Sequence, residues 1–337
     1  MKKYFWNILI FAVFLFLVFF VLKDIKFKEM YFYLTFLNPL IFLLAIFVCF
    51  LSFLVWALRW KILFKSITRP RYFFLLKVLF AGAFFNTVTP GAGIGGEPFR
   101  AYFLSKRYKI SKNKMLSVVL ADKFFHLLTL SFFSALSILF FLFYVDISGS
   151  LRLVLETILL IMFFVIALTI FLTLKKLDFN LGAFFKKAHF FKFIKKHFKS
   201  ADDLENYINK KIRELSGTFR KVVKNKKNIF FGLSLSGLYV LLEGSVSYLL
   251  FLAFGIDINF ISVIIVVSLG ILIGTGSFLP GGIGVIETSM IVLYSAIGVN
   301  LSLALLIALF SRMIYYFFSL FIGGLCLISL KKDSDKK

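Results

Sequence analysis

Thr89-Pro90-Gly91-Ala92-Gly93-Ile94-Gly95-Gly96-Glu97-Pro98-Phe99-Arg100 puts two prolines, four glycines, a carboxylate and a guanidinium into twelve residues. Proline lacks an amide donor and glycine resists helical ordering, so this stretch interrupts any helix that runs into it. Its surroundings are apolar. The 337-residue chain is 61% hydrophobic, with 49 phenylalanines and a mean hydropathy of +0.95. Several runs reach the roughly 20 apolar residues that a helix needs to cross a bilayer. The chain therefore reads as an all-α, multi-pass integral membrane protein. Broken backbone at membrane depth is tolerated only where protein buries it or it lines a wet cavity. An ionisable residue beside such a break marks a functional site.

Working outward, both flanks of the break are basic. Residues 61–77 carry five Lys/Arg and no acid, and residues 106–114 carry another five. Between them lie the short apolar arm Val78–Val88, the break, and the arm Phe99–Ser105. Neither arm is long enough to span, so the segment reads as a re-entrant hairpin entered from the cytoplasm. The formal net charge of +24 would suggest nucleic acid in a soluble protein. Here the cations sit between apolar runs, where a positive-inside bias accounts for them, and no nucleic-acid partner is expected. Six spans follow: Tyr4–Leu22, Pro39–Leu63, Met115–Val145, Arg152–Leu174, Ile229–Phe254 and Leu301–Leu330. Both termini are then cytoplasmic in the cell membrane. Trp60 and Lys61, ending the second span, read as interfacial anchors. Cys49 and Cys326 fall inside apolar runs and read as small hydrophobes, not as a disulfide or metal pair.

Residues 175–228 form the main polar insertion, with 16 Lys/Arg against 5 Asp/Glu. Phenylalanines alternate with lysines around His189 and His197, as on a helix lying on an anionic membrane surface. Ser200-Ala-Asp-Asp203 resembles a capping box. From Leu204 to Phe219 the apolar residues then recur at helical spacing. No Gly-rich loop, metal cluster or triad occurs there, so neither a catalytic domain nor a cofactor is expected.

The break has a counterpart. Pro90-Gly91 and Glu97 align without a gap on Pro280-Gly281 and Glu287, 190 residues on. The second copy, Phe278-Leu-Pro-Gly-Gly-Ile-Gly-Val-Ile-Glu287, again lies between two short apolar arms. Residues 38–145 and 229–330 are thus two units of opposite orientation, an inverted-topology repeat. Such repeats bring broken half-helices together near the bilayer midplane around a substrate site. Half-helix N-termini and glycine-exposed N–H groups suit an anion, phosphate above all.

The charged residues have competing roles. Glu97 and Glu287 either cap the restarted helices or bind a cationic headgroup or a proton. A cap alone would more often be Ser, Thr, Asp or Asn, and a carboxylate at depth costs several kcal/mol to bury. Arg100 either pairs with Glu97 or faces headgroups. Arg312 lies too deep to snorkel and needs a partner: Asp122, a glutamate or a lipid phosphate. Lys123 and His126 rank lower because they could reach the interface. Glu243 has no repeat partner and is marginal, and Tyr315 and Tyr316 read as aromatic packing.

Together, Pro90-Gly91…Gly95-Gly96-Glu97-Pro98-Phe99-Arg100 and Pro280-Gly281-Gly282-Ile283-Gly284-Val285-Ile286-Glu287 resemble the paired signatures of the lysylphosphatidylglycerol synthase transmembrane region. Arg59-Trp60 and Arg312 fit that pattern too. The resemblance implies a flippase-like module that moves aminoacylated phospholipid between leaflets. Its substrate-binding set would be Arg59, Pro90, Gly91, Gly95, Gly96, Glu97, Arg100, Asp122, Pro280, Gly281, Gly282, Gly284, Glu287 and Arg312. Polyprenyl-phosphate or lipid-linked-sugar transport is the alternative. Synthase activity is not expected, because only seven polar residues follow Leu330. A monomer and a homo-oligomer both fit.

Overall fold

Asparagines start four of the described helices. The computed structural model describes residues 27–90, 95–174, 201–277 and 279–335. The expected first span, Gly91–Ile94, Phe278, and the Phe/Lys-rich part of the insertion through Ser200 lie outside the described residues. After α1 (Phe27–Thr35), the Asn38 side chain accepts from the amides of Leu40 and Ile41, and Pro39 opens α2 (Pro39–Phe64). Proline fits this position because its missing donor would have no helical partner. Asn225, Asn259 and Asn300 likewise cap α8 (Lys226–Ala253), α9 (Phe260–Thr275) and α11 (Leu301–Tyr316). Each such cap is worth about 1 kcal/mol. The other helices are α3 (Tyr72–Val88), α4 (Gly96–Tyr108), α5 (Lys112–Tyr144), α6 (Gly149–Leu174), α7 (Ala201–Lys224), α10 (Val285–Ala296) and α12 (Gly323–Asp335). No strand occurs among the described residues.

Among the described residues, four helices are long and apolar enough to cross a membrane: α2, α5, α8, and the run from α11 into α12. The 26 residues of α6 extend about 39 Å at helical rise. The last span is not a plain α-helix. Phe317–Ile322 is a π-helical segment that joins α11 to α12. It seats Phe318 within stacking distance of Phe53 on α2 and Phe80 on α3, with ring centroids at 5.7 and 6.4 Å. Just beyond it, a β-carbon on Gly323 would come within 2.6 Å of the Phe80 carbonyl oxygen. Only glycine permits that approach.

The two broken segments are hairpins of opposite sense. In the first, α3 runs in and α4 runs back. Its open ends meet where the Arg71 amide donates to the Tyr108 hydroxyl at 3.1 Å and the Tyr108 ring packs on Phe74. This is the basic end of the molecule, where Asn228 also donates to Ser66. The arms are longer than the sequence suggested, because the helices run outward through Lys77 and Lys106. Lys77 finds Ser329 of α12 at 3.2 Å.

The second hairpin, α9 and α10, has its ends on the other side. Ile258, Asn259 and Ala296–Asn300 there line a shared cleft with Tyr33, Asp146 and Asp257. At the same end the Asn38 amide donates to the Ala253 carbonyl at 2.7 Å, and Ser302 donates to Glu29 at 3.0 Å. The tips of the hairpins touch, since a β-carbon on Gly281 would lie 3.2 Å from the Thr87 backbone. An expected labelling result follows. Cysteine at Ser105 should react with an impermeant thiol reagent only from the basic side, and cysteine at Ser295 only from the other. The reverse at either position would mean that hairpin crosses.

α7 is the described part of the insertion. It packs along the first half of α5: Ser117 donates to the Leu215 carbonyl at 2.9 Å, and Phe219 meets Phe124 edge-on. Glu214 accepts from Ser111 at 2.6 Å and from Asn113 at 3.2 Å. The Ser111 hydrogen bond holds its carboxyl below the usual range, burial opposes this, and Asn113, Lys211 and Lys114 assist. A lowered folded-state pKa stabilises the docked helix above the free carboxylate value and loses that contribution as pH falls through the folded value. Spin-label distances between α7 and α5 should therefore broaden below about pH 4. In Glu214→Gln that pH dependence should vanish.

Candidate functional site

Where the hairpin tips meet, polar side chains from seven helices surround a cavity of about 140 Å³. Its walls include Arg59, Glu97, Arg100, Asp122, Lys123, Glu243 and Arg312, four cations facing three carboxylates. Gly281 and Gly282 complete one side. Three charge clusters organise it.

The first joins α2, α5 and α8. Arg59, 2% exposed, sets Nε against Asp122 Oδ1 at 2.5 Å and Nη2 against Oδ2 at 3.1 Å. Nη1 donates to Ser236 at 2.7 Å, and Trp56 Nε1 donates to Asp122 Oδ2 at 2.9 Å. Asp122 thus has both oxygens occupied, by Arg59 and not by Arg312.

The second cluster stands on α10 and α11. Glu287 Oε2 accepts from the Gly284 amide at 2.6 Å, which caps α10. Gly284 sits at φ 82°, a conformation that glycine adopts without cost. Glu287 Oε1 accepts from Arg312 Nε at 3.2 Å and from the Tyr316 hydroxyl at 3.0 Å. Arg312 also donates to the Gly281 carbonyl and to Tyr316, and its guanidinium lies over the rings of Tyr315 and Tyr316. Of the partners open to Arg312, then, the structure selects Glu287, and that carboxylate caps a helix as well. Tyr316 is not mere packing.

The third cluster is unsaturated. Glu97 and Arg100 open α4, whose first amide, on Gly96, donates to Asn86 Oδ1 at 2.6 Å. Glu97 Oε1 lies 3.3 Å from Lys123 Nζ and 3.8 Å from Arg100 Nη1. Glu97 Oε2 and Arg100 Nε and Nη2 are buried without hydrogen-bond partners. Arg100 lies across the rings of Trp56 and Trp60, at 4.6 and 5.3 Å from their centroids. Its passage is cut by Gly82, where a β-carbon would fall 2.0 Å from the guanidinium Nε. Trp60 is therefore a fully buried platform under a cation and not an interfacial anchor.

Pro90, Gly95, Gly96, Pro280 and Gly284 shape the turns without lining the cavity, and Gly91 lies outside the described residues. Lys123, His126 and Glu243, ranked low from sequence, all line it. Trp56 and Ser236 carried no sequence signal, since tryptophan and serine are ordinary in apolar spans. Cys49 and Cys326 are free thiols, and no metal-binding group of His, Cys, Asp and Glu occurs among the described residues.

Fold and site together define a multi-pass α-helical membrane protein with a charged cavity at the meeting of two broken hairpins. The family described as "Lysylphosphatidylglycerol synthase TM region" matches residues 6–323, and the chain belongs to it. It is 30% identical over 306 residues to a UPF0104 membrane protein of Methanocaldococcus jannaschii, covering 89% of this chain and 88% of that one. A UPF0104 membrane protein of Pyrococcus horikoshii is 28% identical over 296 residues, covering 86% and 87%. One from Methanothermobacter thermautotrophicus is 29% identical over 286 residues, covering 83% and 82%.

Proposed function

We propose that the protein is a lipid transporter of the flippase type, moving a phosphate-containing lipid between leaflets. One observation carries this reading: the Arg100 guanidinium, buried on two tryptophans, keeps two N–H-bearing nitrogens without partners at a cavity wall. A buried donor without an acceptor is costly, and a charged one more so. A lipid phosphate would satisfy it with charge-assisted hydrogen bonds. The free oxygen of Glu97, on the same turn, suits the ammonium or hydroxyl part of the same headgroup. Such a donor–acceptor pair fits an aminoacylated phospholipid better than a bare polyprenyl phosphate.

In this reading the basic end faces the cytoplasm of the cell membrane, and the charged insertion gathers anionic lipid there. The chain itself is not an enzyme. The test uses proteoliposomes with fluorescent lipids of several headgroups, chased with a membrane-impermeant quencher. Aminoacylated and plain phosphatidylglycerol should be flipped faster than polyprenyl phosphate, and Glu97→Gln should slow the aminoacylated lipid at least tenfold. Equal rates for Glu97→Gln and wild type would remove Glu97 from the headgroup site. No flipping of any lipid on the panel would remove the function.

A further inference from the structure

Glu243 stands apart from the paired charges. Its carboxylate accepts from the Tyr239 hydroxyl at 2.8 Å, and among the described residues no cation lies within ion-pair distance of it. It borders two compartments. One is the headgroup cavity; the other is a pocket of about 40 Å³ that shares Arg312 and Tyr315 with it. The smaller pocket is also lined by Ser52, Ser247 and Ser311, and its volume accommodates water.

Chain direction places these compartments in series. α2 and α11 run from the opposite end toward the basic end, and α8 runs the other way. Ser52, Ser247 and Ser311 therefore each lie nearer the opposite end than Trp56, Tyr239 and Tyr315, which face the headgroup cavity. Glu243 sits at the junction. The ionisable groups lining the two compartments with it are Tyr239 on its own helix, Arg59 and Cys49 from α2, Glu97 and Arg100 from α4, Asp122, Lys123 and His126 from α5, and Arg312 and Tyr315 from α11. Arg59 and Arg312 are each committed to another carboxylate, and α9 and α10 contribute only apolar side chains and glycine to this wall beyond Thr275.

We propose that Glu243 is a proton-binding site, taking a proton from one compartment and releasing it to the other, so that lipid movement is coupled to proton movement. An unpaired carboxylate in a membrane protein's interior has this chemistry available, because adding a proton removes the charge that burial penalises. Tyr239, one helical turn away, holds the carboxylate oriented and can donate to either protonation state. Protonation forms one O–H bond at a Glu243 oxygen as an O–H bond of a hydronium ion entering one compartment breaks, and release breaks that bond and passes the proton to a water molecule entering the other. No other reactant is needed. The coupling half rests on the transport reading; the proton site does not.

The experiment has two arms on the full chain in phosphatidylcholine/phosphatidylglycerol proteoliposomes. Infrared difference spectra are recorded as the bath is stepped from about pH 8.5 to about pH 6, a window over which exposed carboxylates stay ionised. Wild type should gain a protonated-carboxyl band that Glu243→Gln lacks and Tyr239→Phe shifts. In the second arm, flipping of labelled phosphatidylglycerol should respond to an imposed pH gradient in wild type and lose that response in Glu243→Gln. An unchanged band in Glu243→Gln overturns the proton site. Flipping that ignores the gradient in wild type overturns the coupling. A Glu243-dependent band without flipping leaves the site standing and sinks the transport reading for that lipid.

Discussion

Asp122→Ala is expected to be the most destabilising single change in the chain, costing about 3–5 kcal/mol. Asp122 receives three hydrogen bonds, two from Arg59 and one from Trp56, and both side chains of the ion pair are nearly sealed from solvent, at 2% and 4% exposure. Deleting the carboxylate leaves a guanidinium in the interior with only Ser236 to receive it. Asp122→Asn keeps the shape and some acceptors and should fall between. The informative variant removes both charges: Arg59→Met with Asp122→Leu should recover most of the loss, because a buried ion pair contributes little beyond a well-packed apolar pair of similar volume. Thermal unfolding in detergent reads all four proteins. A double variant no more stable than Asp122→Ala would mean that the pair specifies the packing of α2, α5 and α8 and does not merely neutralise itself.

The architecture is legible in the sequence because its signals are local. Pro-Gly breaks, short arms and basic flanks are properties of contiguous residues, and they placed two opposed hairpins correctly. Pairing between distant charged residues is not legible there. Arg312 had Asp122, a glutamate or a lipid as partners. The choice of Glu287 depends on how α10 rests against α11, which no spacing encodes. Arg59 shows the same limit: it lies 63 residues from Asp122, and only the packing of α2 on α5 joins them. Trp60 was misplaced because an aromatic beside cations at a span's end is the usual interfacial pattern. Arg100 of the first hairpin lies over its ring instead, and the side chain is fully buried. The π-helical segment has no signature at all; Phe317–Ile322 contains neither proline nor glycine, and it lies where Phe318 and Gly323 pack against α3.

Arg100→Gln should lower transport by about one and a half to three and a half orders of magnitude while leaving stability unchanged or raised. These two effects separate because Arg100 differs from its neighbours. Arg59 and Arg312 each have a hydrogen-bonded carboxylate, whereas Arg100 reaches Glu97 only at 3.8 Å and leaves Nε and Nη2 without acceptors. An arginine that served the fold alone would be a poor arrangement, since replacing it relieves a buried, half-satisfied charge. Removing one side of a buried charged hydrogen bond to a ligand costs about 2–5 kcal/mol, and each 1.4 kcal/mol is tenfold. Arg100→Lys separates charge from geometry: an ammonium keeps the cation but not the planar contact with Trp56 and Trp60 or the forked donors, so partial activity is expected. The paired measurements are flipping rate and melting temperature on the same preparations. If Arg100→Gln loses activity only in proportion to lost stability, Arg100 belongs to the frame and the headgroup must be held elsewhere.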